Sequence, residues 1–436
     1  MKFPSQKWRL ALSPRSGWRK LLAVSLVGLL LVVIGGLYLK FSESRQSADS
    51  NARFLAAHWA QPIAPQGEPP AGFLPGDAAL APESCAACHV AQYADWNTSL
   101  HSQAMGPGIR WQLRVMNQAE ANDCLRCHAP LAEQKALTAL EHGWPNAPKT
   151  AMPAYVSADL HRRGNTCASC HVRKHVYFGP PASSVPPAPA QNPKSHGGFS
   201  AQPAFSDSRF CAPCHQFPPG ARSLEGKLIE NTYEEWRDSP AAGEGATCQT
   251  CHMPGRRHLW RGIHDAETVR KGLRRELEVK RLANGKLAVL ATVTAPGVGH
   301  HFPTYVVPKA TVSLHLRNSS GIREIARHVI GRTVSVDMTR EWSDTRIPPG
   351  GKSIVAAEVN APPGDNYVEM HMEIEPAEHY IRMFRSMLDQ NPKMDTSAQL
   401  LLREALRQAL STAYRLDDVT IAVPAPLDRS QHVVAN

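Results

Sequence analysis

Every cysteine of this 436-residue chain lies in one of five C-x-x-C-H pentapeptides: Cys85 and Cys88 before His89, Cys124 and Cys127 before His128, Cys167 and Cys170 before His171, Cys211 and Cys214 before His215, and Cys248 and Cys251 before His252. Two thiols separated by two residues can each add across one vinyl group of a single porphyrin. The histidine that follows is then left beneath the iron as an axial ligand. A four-ligand zinc site needs no histidine directly after each C-x-x-C pair, and a disulfide framework needs no repeated spacing. The pattern predicts five covalently attached haem c groups, each with its iron.

That expectation constrains the fold. The motifs begin at 85, 124, 167, 211 and 248, so few residues per haem remain for an ordinary side-chain core. The porphyrins must supply much of the buried apolar surface, and short helices, long loops and little sheet are expected over residues 84–270. The Pro-rich run 179–193 reads as a surface loop within this domain. One pattern recurs: Tyr93-x-x-Trp96-x-x-Ser99 follows the first motif, and Tyr233-x-x-Trp236-x-x-Ser239 precedes the fifth. Three-residue spacing puts these side chains on one helix face, where the aromatics can pack on a haem edge.

Residues 271–436 contain no cysteine and read differently. Segments 286–294, 310–317, 332–337, 353–359, 367–374 and 418–424 alternate apolar and polar residues or are β-branched, with turn signals between them. This is the pattern of a β-sandwich. Residues 397–414 form one clear helix, packed on that sandwich or back on the motif-bearing half. The fold class expected is α+β and multidomain: an N-terminal transmembrane helix, a helix-and-loop pentahaem cytochrome c domain, and a C-terminal β-sandwich with a long helix.

Residues 1–45 read as a cytoplasmic tip and membrane anchor, and 46–83, rich in Pro and Gly, as an extended linker. Six Lys and Arg and no acidic residue occupy the first 20 positions, and 21–39 then carry no charge. The uncharged stretch is long enough to span a bilayer, with the tip inside and the rest in the periplasm. The net charge of +10 falls to +3 once the seven positive charges of the first 40 residues are set aside. Five pairs of haem propionates would make the exported part mildly acidic, so nucleic-acid binding is not expected.

Fifteen histidines remain after the five proximal ones. His101, five residues beyond Trp96, and His264, in the H-L-W-R-G-I-H-D run, are the leading candidates for second axial ligands. His300 or His301, in V-G-H-H-F-P-T, can reach across the domain boundary. His196 and His161 complete the set. His142, His175 and His258 are weaker candidates, and His58, His315, His328, His371, His379 and His432 read as surface or strand positions.

The stretches C-x-x-C-H…Y-x-x-W-x-x-S-L-H at 85–101 and T-Y-E-E-W-R-D-S…C-Q-T-C-H-M-P…G-I-H-D at 232–265, with G-H-H-F-P-T, resemble the multihaem c-type cytochromes related to the tetrahaem cytochrome of the hydroxylamine-oxidation pathway. The resemblance spans about 84–305 and implies closely packed, mostly bis-histidine haems that relay electrons, with His101, His264 and His301 as distal ligands. A fifth motif, the apolar N-terminal segment and the sandwich depart from that pattern. The expected function is electron transfer between a quinol-linked or dehydrogenase donor in the inner membrane and a periplasmic redox protein. One alternative is an oxidoreductase with one open iron acting on a small nitrogen or sulfur compound, with Arg162, Arg163, Arg173 and Lys174 near the third motif. The other is a docking subunit of a larger assembly. No side-chain catalytic motif is present in the sequence, and no motif carries the Lys in place of His that marks the pentahaem nitrite reductases.

Overall fold

Short helices joined by loops make up the motif-bearing half in the computed structural model. The structure describes residues 29, 32–34, 36, 49–182, 195–361, 364–391, 393–423 and 430–435. Residues 58–436 form one compact unit and residues 1–57 another. Most of the expected membrane anchor and of the 179–193 loop lies outside the described residues, and no described helix is long and apolar enough to cross a membrane.

Five helices frame the first half: α1 Val90–Asn97, α2 Pro107–Val115, α3 Gln118–His128, α4 Ala132–His142 and α5 Thr232–Arg237. Asn117 and Glu120 cap α3 reciprocally, and its last turn is the second motif. The third and fifth motifs are each one five-residue helix, Cys167–His171 and Cys248–His252. Thr166 and Thr247 open them, each with its backbone N–H bonded to the hydroxyl of Ser169 or Thr250. So short a helix has no propensity to form alone, and these caps hold the two cysteines and the histidine in helical register.

The Pro/Gly-rich stretch expected as a free linker instead packs on this half over residues 61–82. Ile63 and Leu80 are buried, and Ala78 and Leu80 join Leu131, Leu160 and Val172 in one apolar cluster. The Gln66 N–H donates to Glu133 Oε1 at 2.7 Å. A few apolar side chains are enough to dock such a stretch.

The C-terminal half contains two antiparallel sheets around one core. Its main strands are β1 Arg274–Arg281, β2 Lys286–Thr294, β3 Lys309–Asn318, β4 Gly321–Ile330, β5 Lys352–Asn360, β6 Tyr367–Glu375, β7 Val419–Ala422 and β8 Ser430–Ala435. One sheet runs β5-β2-β1-β8; in the other, β3 lies between β6 and β4, and β6 also pairs with β7 and with Tyr414–Arg415. Leu277, Val279, Leu287 and Val289 from the first sheet meet Val312, Leu314, Val368 and Met370 from the second. The expected sandwich strands over 286–294, 310–317, 353–359 and 367–374 are present nearly as read, whereas 332–337 shrinks to Arg332–Val334. Strands β1, β4 and β8 were not expected.

Two helices close the chain's second half, α6 Glu378–Gln390 and α7 Thr396–Leu410. The second is the expected helix; the first was missed. Both pack back on the motif-bearing half, where Trp111 of α2 meets Phe384, Leu402, Ala405 and Ala409.

Candidate functional site

Three of the five proximal histidines are set up to bind a metal through Nε2. His128 donates Nδ1–H to the Ala104 carbonyl (2.6 Å), His171 to Phe178 (2.7 Å) and His252 to Arg261 (2.7 Å). A carbonyl partner fixes the proton on Nδ1, which leaves Nε2 with its lone pair free. Burial, opposed by the bond to Phe178, takes His171 down to about 4, so its ring is neutral at neutral pH. This donor set, a thiol pair beside an oriented neutral imidazole, fits covalent haem c.

Three proximal rings face a second imidazole at one common separation. His215 and His101 have centroids 6.2 Å apart with planes crossed at 63°, His171 and His258 are 6.1 Å apart at 32°, and His252 and His300 are 6.2 Å apart at 9°. Two imidazoles that each place a nitrogen about 2 Å from a shared iron have centroids about 6 Å apart. His258 and His300 also use Nδ1 on carbonyls, those of Arg256 (3.0 Å) and His301 (2.9 Å), and so keep Nε2 free.

The remaining candidates sort differently. His301 does not face a proximal ring; its backbone N–H donates to Glu235 Oε2 (3.2 Å) and its Nδ1 lies 3.4 Å from the same oxygen. His161 is buried beside Glu141, with Nε2 2.6 Å from Oε2 and Nδ1 without a hydrogen-bond partner among the described residues, and it meets no proximal ring in ring contact. His196 stacks on Tyr177 at 4.2 Å, bonds Gly198 through Nδ1, and lies near enough to His89 to lower that group's pKa, after burial. His264 is lowered by burial alone and meets no other imidazole in ring contact among the described residues. His258, a weaker candidate in the sequence, is one of the three that face a proximal ring. His58, read as a surface position, is buried, and burial, then the Arg173 charge, takes it down to about 3.

Thiol contacts show which motifs are neighbours. Cys85 and Cys167, Cys127 and Cys214, and Cys248 and Cys211 lie close enough for the thiols of each pair to shift one another, the first of each pair downward and the second upward. Cys170 raises both Cys211 and Cys214 by its charge. Motifs one and three, three and four, four and five, and two and four are therefore adjacent, with the fourth at the branch. Cys88 and Cys251, in the first and fifth motifs, are the exposed cysteines.

The recurring aromatic pattern has a structural partner in each copy. Tyr93 and Trp96 are 5.7 Å apart at 38°, and Tyr233 and Trp236 are 5.6 Å apart at 42°. Trp96 Nε1–H donates to the Asn165 carbonyl (2.6 Å) and Trp236 Nε1–H to Ala246 (3.1 Å). Asn165 and Ala246 each stand two positions before the first cysteine of a motif. Each tryptophan thus clamps the entry to one motif helix.

Other loops bring the sites together. Gly164, at φ +63°, runs so close to the 101–104 loop that a Cβ there would lie 2.4 Å from the His101 carbonyl oxygen. That loop carries both His101 and Ala104, the acceptor of His128. Glu235 of α5 accepts from Thr304 Oγ1 (3.0 Å) and Arg346 Nη1 (2.7 Å) as well as from His301, which ties the His300 loop to the first half. Phe302 and Ile347 bond each other through both backbone groups at 2.8 Å, holding the same loop on the sandwich. Of the basic residues near the third motif, Arg162 pairs with Glu141, Arg163 with Glu83, and Arg173 bonds the carbonyls of His58, Val172 and Ser169. These three are occupied in structural roles.

Residues 84–172 match the family described as cytochrome c554 and c-prime. A penta-heme cytochrome c552 from Thermochromatium tepidum shares the fold with a TM-score of 0.56 at 17% identity, over 80% of this chain and 100% of that one. A comparison with curated proteins finds no match.

Proposed function

On the premise that this chain is a multihaem c-type cytochrome with covalently bound haem c, we propose that it is an electron carrier whose haems form a branched relay. The observation that carries this reading is the common 6.1–6.2 Å separation between three proximal imidazoles and His101, His258 and His300. Those three residues are the sixth ligands of the fourth, third and fifth haems, and His196 is the candidate at the first. An iron held by two imidazoles exchanges electrons and offers no position to a substrate, and histidine pairs favour lower potentials than His/Met ligation. The thiol contacts support a path from one to three, four and five, with the second haem on a side branch at the fourth. The exposed Cys88 and Cys251 support the first and fifth haems as the ports where partners exchange electrons.

The proposed setting is the periplasmic face of the inner membrane, with the N-terminal apolar segment as anchor. The donor would be quinol-linked or a membrane dehydrogenase and the acceptor a periplasmic redox protein. The test is a spectroelectrochemical titration with stopped-flow reduction. A carrier gives five one-electron steps and spectra unchanged by nitrite, hydroxylamine or cyanide.

A second reading attaches to the second haem. His128 meets no other imidazole in ring contact among the described residues, and Tyr380 of α6 is near enough to Cys124 for that thiol to raise its pKa, after burial and Glu230. An open position there would take a small nitrogen or sulfur compound, with the other haems delivering electrons. Oxidation of the reduced protein by nitrite or hydroxylamine favours this reading; its absence favours the carrier.

A further inference from the structure

The segment between the fifth motif and β1 reaches three sites of the proposed relay. It carries His258, facing the third motif's His171, and its Arg261 carbonyl accepts from His252 of the fifth. It is fastened on both sides. Before the centre, Arg257 makes two bonds to the Asp95 carboxylate (2.6 and 2.7 Å), and the His258 N–H donates to the same group (3.1 Å). After the centre, Arg261 donates to the Thr98 carbonyl and hydroxyl, both at 2.8 Å.

Trp260 sits between these fastenings. Its ring packs edge-to-face on His101 at 4.6 Å and 74°, and on His258 at 5.1 Å and 84°. Its backbone is left-handed, at φ +44°, a conformation a bulky residue adopts only when its surroundings impose it. The Trp260 N–H donates to the His252 carbonyl at 3.0 Å, which holds that conformation in place.

An imidazole bound to iron through one nitrogen turns about that bond unless a neighbour stops it. His258 has a stop of its own in the bond from Nδ1 to Arg256. The His101 ring has no hydrogen-bond partner among the described residues, so ring packing is what orients it. We propose that Trp260 is a positioning residue shared by two haem sites, setting the planes of the His101 and His258 imidazoles and with them the electronic state of the fourth and third haems. This rests on the assignment of those histidines as sixth ligands.

The plane angle between two axial imidazoles has a direct readout. Nearly parallel planes split the iron dπ orbitals and give a rhombic low-spin EPR signal, whereas crossed planes leave them nearly degenerate and give a strongly anisotropic one. The test compares full-length ferric holoprotein with its Trp260→Leu and Trp260→Phe variants, each checked by mass for five haems. In Trp260→Leu the anisotropic signal of the 63° pair at the fourth haem shifts most. The signal of the 32° pair at the third shifts less, and that of the 9° pair at the fifth stays. Trp260→Phe, which keeps a ring in place, restores the native spectrum.

A Trp260→Leu spectrum that superimposes on the native one, or one in which all signals change equally, overturns the proposal. If Trp260→Leu does not assemble, Trp260→Met, which fills the space without a ring, decides it: signals of the third and fourth haems moved less than that of the fifth overturn it. His101→Ala and His258→Ala separate the two levels. If neither produces a high-spin iron, it is the ligand assignment that fails.

Discussion

At the residue scale, adjacent histidines take opposite roles. His300 faces His252 with nearly parallel planes, while His301 engages Glu235. The sequence narrowed the choice to the pair, because Gly299 and Pro303 mark a loop that can approach a haem. The family resemblance pointed to His301, and the motif does not record which side of the loop each neighbour leaves from. The expected outcome is that His300→Ala converts one haem in five to high spin, while His301→Ala leaves the spin state unchanged and weakens the loop. Optical and EPR spectra of the two variants check this. His258 was harder still to read. Its neighbours Arg256 and Arg257 suggest solvent, and only the contact of Arg257 with Asp95, 162 positions away, turns that segment inward.

At the element scale, the unit is a tryptophan-bearing helix coupled to a capped motif turn. α1 serves the third motif and α5 the fifth, and the first cysteines of two motifs lie close enough to shift one another in each case: Cys85 with Cys167, and Cys211 with Cys248. The echo of Y-x-x-W-x-x-S was visible in the sequence. Its purpose was not, because the carbonyl that Trp96 binds lies 69 positions away. Trp96→Phe keeps the ring and removes the donor. It should cost about 1 kcal/mol by leaving a partly buried carbonyl unpaired, and Trp236→Phe, on a half-buried side chain, less. Urea denaturation of the two variants measures the difference. The missed strands have a similar explanation. In β1 only Leu277 and Val279 break a run of charges, and β4 is mostly exposed, so neither presents enough apolar alternation to be recognised.

At the scale of the whole molecule, the motif-bearing half and the sandwich are joined at a proposed haem site. Burial by itself pushes the Glu235 carboxyl up, but His301 and Arg346 outweigh it and hold the group at about 2. That value lies below the 4.5 of an ordinary glutamate, so the pair stabilises the fold fully above pH 4.5, and the contribution is lost as the pH falls from there towards 2. Glu235→Gln leaves Arg346 without one of its two carboxylates and should cost about 3 kcal/mol at pH 7, with the gap to the native protein closing below pH 4. Thermal melts at pH 7 and pH 3 would show a constant gap if Glu235 is not ionised in the fold. The strand-rich second half was legible in composition. The interlock was not, since Glu235, Thr304 and Arg346 are ordinary polar residues until the fold brings them together.

The central claim is that at least three irons are closed by His101, His258 and His300, and the most direct measurement is the EPR spectrum of the ferric protein with and without cyanide. The account predicts low-spin signals from at least three haems, one strongly anisotropic from the 63° pair and the others rhombic, none of them altered by the ligand. A spectrum dominated by high-spin iron, or low-spin signals that change when cyanide is added, would contradict it.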